Sequence, residues 1–228
     1  MPLGVDIPVK EVQRYMGYHG MAEITPEIMS KIEKAIDQVS MQSHPRIVIK
    51  EFLIDVAERA VTVHTDTGDL LLESESLVKN LNGCIGALFL AATIGPSCDM
   101  LVRRASITSA AEASIYQAAG AAAIESFLDS ENDRLKNDYA RKGFFLRPRF
   151  SPGYGDLKLE HQKDWFRVLN ISKQIGIELT DSLLMVPTKS VTALIGIGRE
   201  KCSCSCSGCG SCSMNTTCEF SKERRTGE

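Results

Sequence analysis

The stretch Cys84-Ile-Gly-Ala-Leu-Phe-Leu-Ala-Ala-Thr93 decides the architecture. It is an unbroken run of apolar and small residues, too short to span a bilayer and closed by Gly95-Pro96, so it reads as a buried strand. From Ser97 to about Arg141 the pattern turns helical, as two helices broken near Ile107-Thr-Ser109. Within it, the small residues of Ala110–Ala123 let two backbones approach closely, while Asp129–Arg141 is highly charged and reads as solvated. Upstream, Val61–Thr65 and Leu70–Glu73 flank Asp66-Thr-Gly-Asp69 as a hairpin. Residues 45–55 are β-branched and apolar and suit a strand, though Ile47–Val56 also allows a helical start. Ser76–Asn82 reads as a short helix ended by Gly83. Thr25-Pro26 supplies an N-cap and a proline at the first helical position. The helix it opens runs to about Ser40, with Ile28, Ile32, Ala35, Ile36 and Val39 on one stripe. Residues 8–18 also carry helical spacing. Downstream, Phe144–Phe150 is extended, Leu159–Gly176 is a helix with Trp165, Val168, Leu169 and Ile175 inward, and Leu183–Val186 and Val191–Ile197 are short strands. Strands separated by helices and a hairpin predict an α+β fold: a single domain over residues 1–198, with a mixed or antiparallel twisted sheet packed with helices. Residues 199–228 form a Cys-rich tail.

Composition narrows the function. A hydrophobic content of 43% and a charged content of 24% suit a globular protein with a core of its own. A net charge of −3 with no basic run argues against a nucleic-acid partner. No basic segment leads into an apolar one at the start, and no run is long enough for a membrane. Cysteines concentrated at one end, rather than spread through the fold, predict a reducing, cytoplasmic setting. No Gly-x-Gly-x-x-Gly opens a helix after a strand, and neither a P-loop nor a Gly-x-Ser-x-Gly is present. Isolated histidines and solvated acid pairs such as Glu33 and Asp37 offer no catalytic constellation, so no catalytic residue is assigned.

The run Arg147-Pro-Arg-Phe-Ser-Pro-Gly-Tyr-Gly-Asp156 is different in kind. Pro148 and Pro152 remove backbone donors and bias their predecessors to extended geometry. Gly153 and Gly155 permit positive φ and close approach to the main chain. Around them stand a guanidinium (Arg149), a phenol (Tyr154) and a carboxylate (Asp156). An ordinary surface turn has the same look. The alternative is a loop shaped for a small polar ligand with a planar ring.

Its surroundings favour the ligand. Arg149-Phe-Ser-Pro-Gly-Tyr154, the helix Glu160–Gly176, Ile177-Glu-Leu-Thr-Asp-Ser182 and Pro187-x-x-Ser190-Val191 together resemble the activation domain of cobalamin-dependent methionine synthase. Glu11-Val-Gln-Arg-Tyr-Met-Gly-Tyr18 and the Cys-rich tail resemble the short, free-standing members of that family. The resemblance implies an accessory role in reductive activation of the synthase, a methyltransferase of methionine biosynthesis. S-adenosylmethionine held here would remethylate reduced cobalamin carried by a partner. Arg149, Gly153 and Tyr154 match the family's ligand-binding positions, and Ser151, Gly155 and Asp156 complete the candidate cofactor site. Arginine suits the methionyl carboxylate because its planar fork matches it. The chain has no Asp-x-His-x-x-Gly cobalamin signature, so cobalamin would arrive on a cobalamin-binding module of the synthase or a related corrinoid protein. The electron would come from a donor such as flavodoxin or ferredoxin. The chain also departs from the large members. Gly155-Asp-Leu-Lys158 replaces a Pro-Ala-Cys-Pro-like stretch, no acid lies between Tyr15 and Tyr18 to hold the ligand's amino end, and cysteines replace a tyrosine pair beyond the last strand. Glu125 and Asp156 are the candidate substitutes for the missing acid.

The tail carries its own signal. Cys202, Cys204 and Cys206 alternate with serine, and Cys209-Gly-Ser-Cys212 is followed by Cys218. Such spacing suits zinc or an iron–sulfur cluster, it also suits thiol redox exchange, and a flexible tail whose thiols do nothing specific has the same composition. The resemblance to the short family members, which end in a similar C-x-x-C…C tail, implies Cys209, Cys212 and Cys218 as the leading ligands. The alternative function is therefore an electron- or metal-delivery module acting through the tail.

Overall fold

The computed structural model describes residues 5–18 and 24–200. The chain order is α1 (Val9–Tyr15), α2 (Pro26–Gln42), β1 (Arg46–Val56), β2 (Ala60–Thr65), β3 (Gly68–Glu73), α3 (Glu75–Asn80), β4 (Cys84–Thr93), α4 (Ser97–Thr108), α5 (Ala110–Arg141), β5 (Phe145–Leu146), α6 (Gln162–Leu169), α7 (Ile171–Ile175), β6 (Glu178–Leu179), β7 (Met185–Val186) and β8 (Ser190–Gly198). Six strands form one sheet in the order β3-β2-β1-β4-β8-β5, and every pairing is antiparallel. The α+β expectation holds, and the sheet is antiparallel rather than mixed. Among the described residues no helix is long and apolar enough to cross a membrane.

The quoted stretch is β4, and its continuous apolar character has a direct cause. β4 lies between β1 and β8, with helices on both faces. Leu88, Leu90 and Ala92 face the layer of α1, α2, α4 and α5. Ala87, Phe89 and Ala91 face α3, α6 and α7. A strand covered on both sides has no solvent face on which to place polar residues, so the alternation typical of antiparallel sheets disappears. Thr25 caps α2 by accepting from the Ile28 amide at 3.4 Å. The helical region breaks where expected, with Ser109 capping α5 through the Glu112 amide at 3.2 Å. At Gly120 on α5 an added methyl carbon would lie 2.3 Å from Cys98 Sγ. The small residues there are what lets α4 and α5 lie together. Burial pushes the Cys98 thiol up to about 11, so it serves as a packed apolar group.

Two readings need correction. The helix expected over Leu159–Gly176 is two, divided at Asn170, which sits in the left-handed region at φ 50° and ψ 48°. Asparagine tolerates that conformation better than most residues. Trp165, Val168, Leu169 and Ile175 are all buried, because the inward stripe continues across the break. The segment Asp129–Arg141 is not wholly solvated. Leu135 and Tyr139 are buried, and the Tyr139 hydroxyl donates to Glu51 on β1 at 2.5 Å. That end of α5 is thereby tied to the sheet.

Candidate functional site

The loop between β5 and α6 is anchored on both sides. Phe150 exchanges two backbone hydrogen bonds with Leu194 of β8, at 2.8 and 2.9 Å. Beyond it the chain folds on itself: the Tyr154 amide donates to Ser151 O, the Leu157 amide to Tyr154 O, and the Gly153 amide to Leu157 O. Leu157 and Pro152 are buried, while Tyr154 is 65% exposed and its ring lies 6.3 Å from that of Phe150. Gly153 (φ +89°) and Gly155 (φ +55°) occupy the left-handed region where a side chain is strained. At Gly155 a methyl would also lie 2.7 Å from Ser76 Oγ. The close approach at that glycine is therefore to α3.

Asp156 explains why. Its carboxylate accepts from Ser74 Oγ at 2.6 Å, from the Glu75 amide at 2.7 Å and from the Ser76 amide at 3.1 Å. Ser74 in turn caps α3 through the Leu77 amide at 3.0 Å. Both carboxylate oxygens are thus engaged at the start of α3, where free amides favour an anion. The Ser74 hydroxyl, with the two amides, holds the carboxyl well below the usual carboxylate range. Asp156 fixes the loop to α3, and of the residues expected to meet a ligand it has the clearest structural employment. A group whose folded pKa is depressed stabilises the protein above its unfolded pKa and loses that contribution as pH falls toward the folded value. The Asp156 latch is accordingly present at neutral pH and weakens below about pH 4. Asp156→Ala should lower stability by about 1 kcal/mol, the exposed position being screened. The difference between mutant and wild-type unfolding midpoints should narrow as pH falls from 5 to 3.

Arg149 faces α5. Its Nη2 donates to Glu125 at 3.1 Å and to Asp129 at 3.0 Å. The two acids are one turn apart on the same helix face, so one nitrogen reaches both. Nη1 is buried and has no hydrogen-bond partner among the described residues. The arginine is therefore held by side-chain carboxylates, 42% and 57% exposed, rather than by interior carbonyls. α1 packs against α5. Burial raises the Tyr15 phenol, and the Glu125 charge adds to that rise, which places Glu125 within electrical reach of α1. Arg147, two residues before Arg149, is structural: it donates to Asn82 O at 3.1 Å and to Glu200 O at 3.2 Å and secures the exit of β8.

The structure thus brings Arg149, Ser151, Gly153, Tyr154, Gly155 and Asp156 into one loop. It adds Asp129, which local reading had assigned to a solvated face; the spacing of Glu125 and Asp129 was the available signal. A pocket of about 1090 Å³ lies elsewhere, lined by His44, Arg46, Ser97, Ser126 and Phe127 among others, and takes in no residue of the loop. Among the described residues no three metal-ligating side chains converge. The candidate ligands Cys209, Cys212 and Cys218 lie outside the described residues.

Comparison with known proteins places these features. Residues 123–213 match the family model described as the vitamin B12 dependent methionine synthase, activation domain. That span runs from the middle of α5 through the loop to β8 and into the tail, and it bears out the resemblance read from the sequence. The fold is similar to that in the crystal structure of the MetH reactivation domain bound to AdoHcy, with a TM-score of 0.61, 14% identity, and coverage of 88% of this chain and 82% of that one. At that identity the likeness is one of fold. No curated protein matches this chain in sequence.

Proposed function

We propose that this chain, whose residues 123–213 match the methionine synthase activation-domain family, serves methionine synthase activation by holding S-adenosylmethionine at the Arg149 loop. One observation supports the reading most: the Arg149 guanidinium lies within 3.1 Å of each of two carboxylates at the foot of a loop that exposes Tyr154. The head of an α-amino acid is a carboxylate and an ammonium on one carbon, and it calls for a cation and an anion placed together. Arg149 supplies the first. Glu125 supplies the second, in place of the acid that larger family members carry near their N-terminus. Ser151, Gly153 and Gly155 offer main chain, and Tyr154 offers a flat amphipathic wall for the rest of the ligand.

When bound, S-adenosylmethionine supplies a methyl group for reduced cobalamin on a partner. This chain's own residues bind and orient it and keep water from one side. Positioning of that kind needs no general acid or base. The partner is a cobalamin-binding module that docks around the loop, and the electron comes from a flavodoxin- or ferredoxin-like donor in the cytoplasm. The tail cysteines Cys209, Cys212 and Cys218 are the place for any zinc or iron–sulfur centre serving electron delivery.

The test uses labelled S-adenosylmethionine, a corrinoid-loaded synthase core and a low-potential reductant. Methylcobalamin should form with this protein and fall to background without it. Equal yields in the two reactions would remove the proposal.

A further inference from the structure

We propose that Asp129 is an internal stand-in for the ligand's carboxylate, a competitor that must leave Arg149 before the amino-acid head can bind. The inference rests on the reading of the Arg149 loop given above.

The argument begins with hydrogens. Nη2 of a guanidinium carries two, and here one goes to Glu125 and the other to Asp129. A carboxylate gripping arginine in a bidentate manner uses Nη2 together with either Nη1 or Nε. In both geometries it needs a hydrogen on Nη2 that is already committed. One of the two acids has to give way.

Asp129 is the one that leaves. It is the more exposed of the pair, 57% against 42%, so water readily takes over its solvation. Glu125 is the less exposed and lies within electrical reach of Tyr15 on α1. It stays beside the arginine, one helical turn from the vacated position, where an ammonium on the same carbon as the carboxylate can meet it. The two acids therefore have opposite effects on binding. Glu125 contributes to the site, and Asp129 lowers the fraction of molecules whose arginine is available.

The probe is S-adenosylhomocysteine, which keeps the zwitterionic head and lacks the sulfonium charge, so that removing an acid does not act on a cationic ligand. Calorimetric titration of the full chain compares wild type with Asp129→Asn, Arg149→Ala and the double variant. Asp133→Asn, one turn further along α5 and paired with Lys136, controls for charge alone. Asp129→Asn should bind about threefold to fivefold more tightly than wild type, the size of a partly exposed ion pair. Asp133→Asn should match wild type, and the gain from Asp129→Asn should shrink once Arg149 is removed, leaving only the relief of an acidic surface. If Arg149→Ala abolishes binding while Asp129→Asn binds no better than wild type, or if Asp133→Asn gains equally, the competitor is refuted and the site survives. If Arg149→Ala binds as wild type does, the site reading fails and takes this inference with it.

Discussion

Arg149→Ala should lower the affinity for S-adenosylmethionine by about thirtyfold to a hundredfold if the proposed site holds the ligand. Hydrogen bonds to a charged group contribute about 1.5–3 kcal/mol, and losing the fork removes more than one of them. A second effect acts in the same direction. Glu125 and Asp129 share Arg149 as their common cation, and without it two like charges one turn apart repel each other. The ligand's carboxylate then meets an acidic surface. Arg149→Lys should not restore the affinity, because an ammonium presents a point charge in place of a planar fork. Titration of each variant by calorimetry gives the comparison, and an unfolding scan in parallel shows whether the fold is intact. The carboxylates of the ion pairs are partly exposed, so the midpoint should move little. Unchanged affinity in a folded Arg149→Ala protein would contradict the ligand role.

The largest effect on stability falls at Trp165. Its side chain is fully buried, stacks on Phe89 of β4 with ring centroids 4.2 Å apart, and donates from Nε1 to Ala193 O at 3.0 Å. Trp165→Ala removes the ring from between α6 and the sheet, leaves a cavity and strands the carbonyl. The loss should be about 3–5 kcal/mol. Trp165→Phe should lose about 1–2 kcal/mol, since much of the stack survives and the hydrogen bond does not. Chemical denaturation of the three proteins tests both figures. The variant also bears on the site. Ala193 precedes Leu194, whose main chain holds Phe150 in place. Loosening that part of β8 should weaken ligand binding beyond what the fall in stability alone explains.

The strands and caps could be read from the chain because their causes are local. Thr25-Pro26 is a capping signal whose partner lies three residues on, and the apolar run of β4 reports a double cover wherever the helices come from. The break at Asn170 was hidden because the apolar stripe of α6 continues into α7, and one residue in the left-handed region leaves no trace in that spacing. Arg149, Ser151, Gly153 and Tyr154 stood out by chemistry and turn geometry. The partners of Arg149 and Asp156 did not. Glu125 and Asp129 lie 24 and 20 residues before Arg149, and Ser76 lies 80 before Asp156. A carboxylate beside a glycine-rich turn reads alike whether it meets a ligand or the amides of a distant helix, and only the fold decides between them.

The bond from Asp156 to α3 makes the amides of Glu75 and Ser76 a remote gauge of the loop. Each is covered by a carboxylate that belongs to the loop after β5 and not to its own helix. Deuterium uptake at these two positions would therefore follow the loop's opening and closing, and slower uptake on adding ligand would register occupancy from the opposite side of the turn.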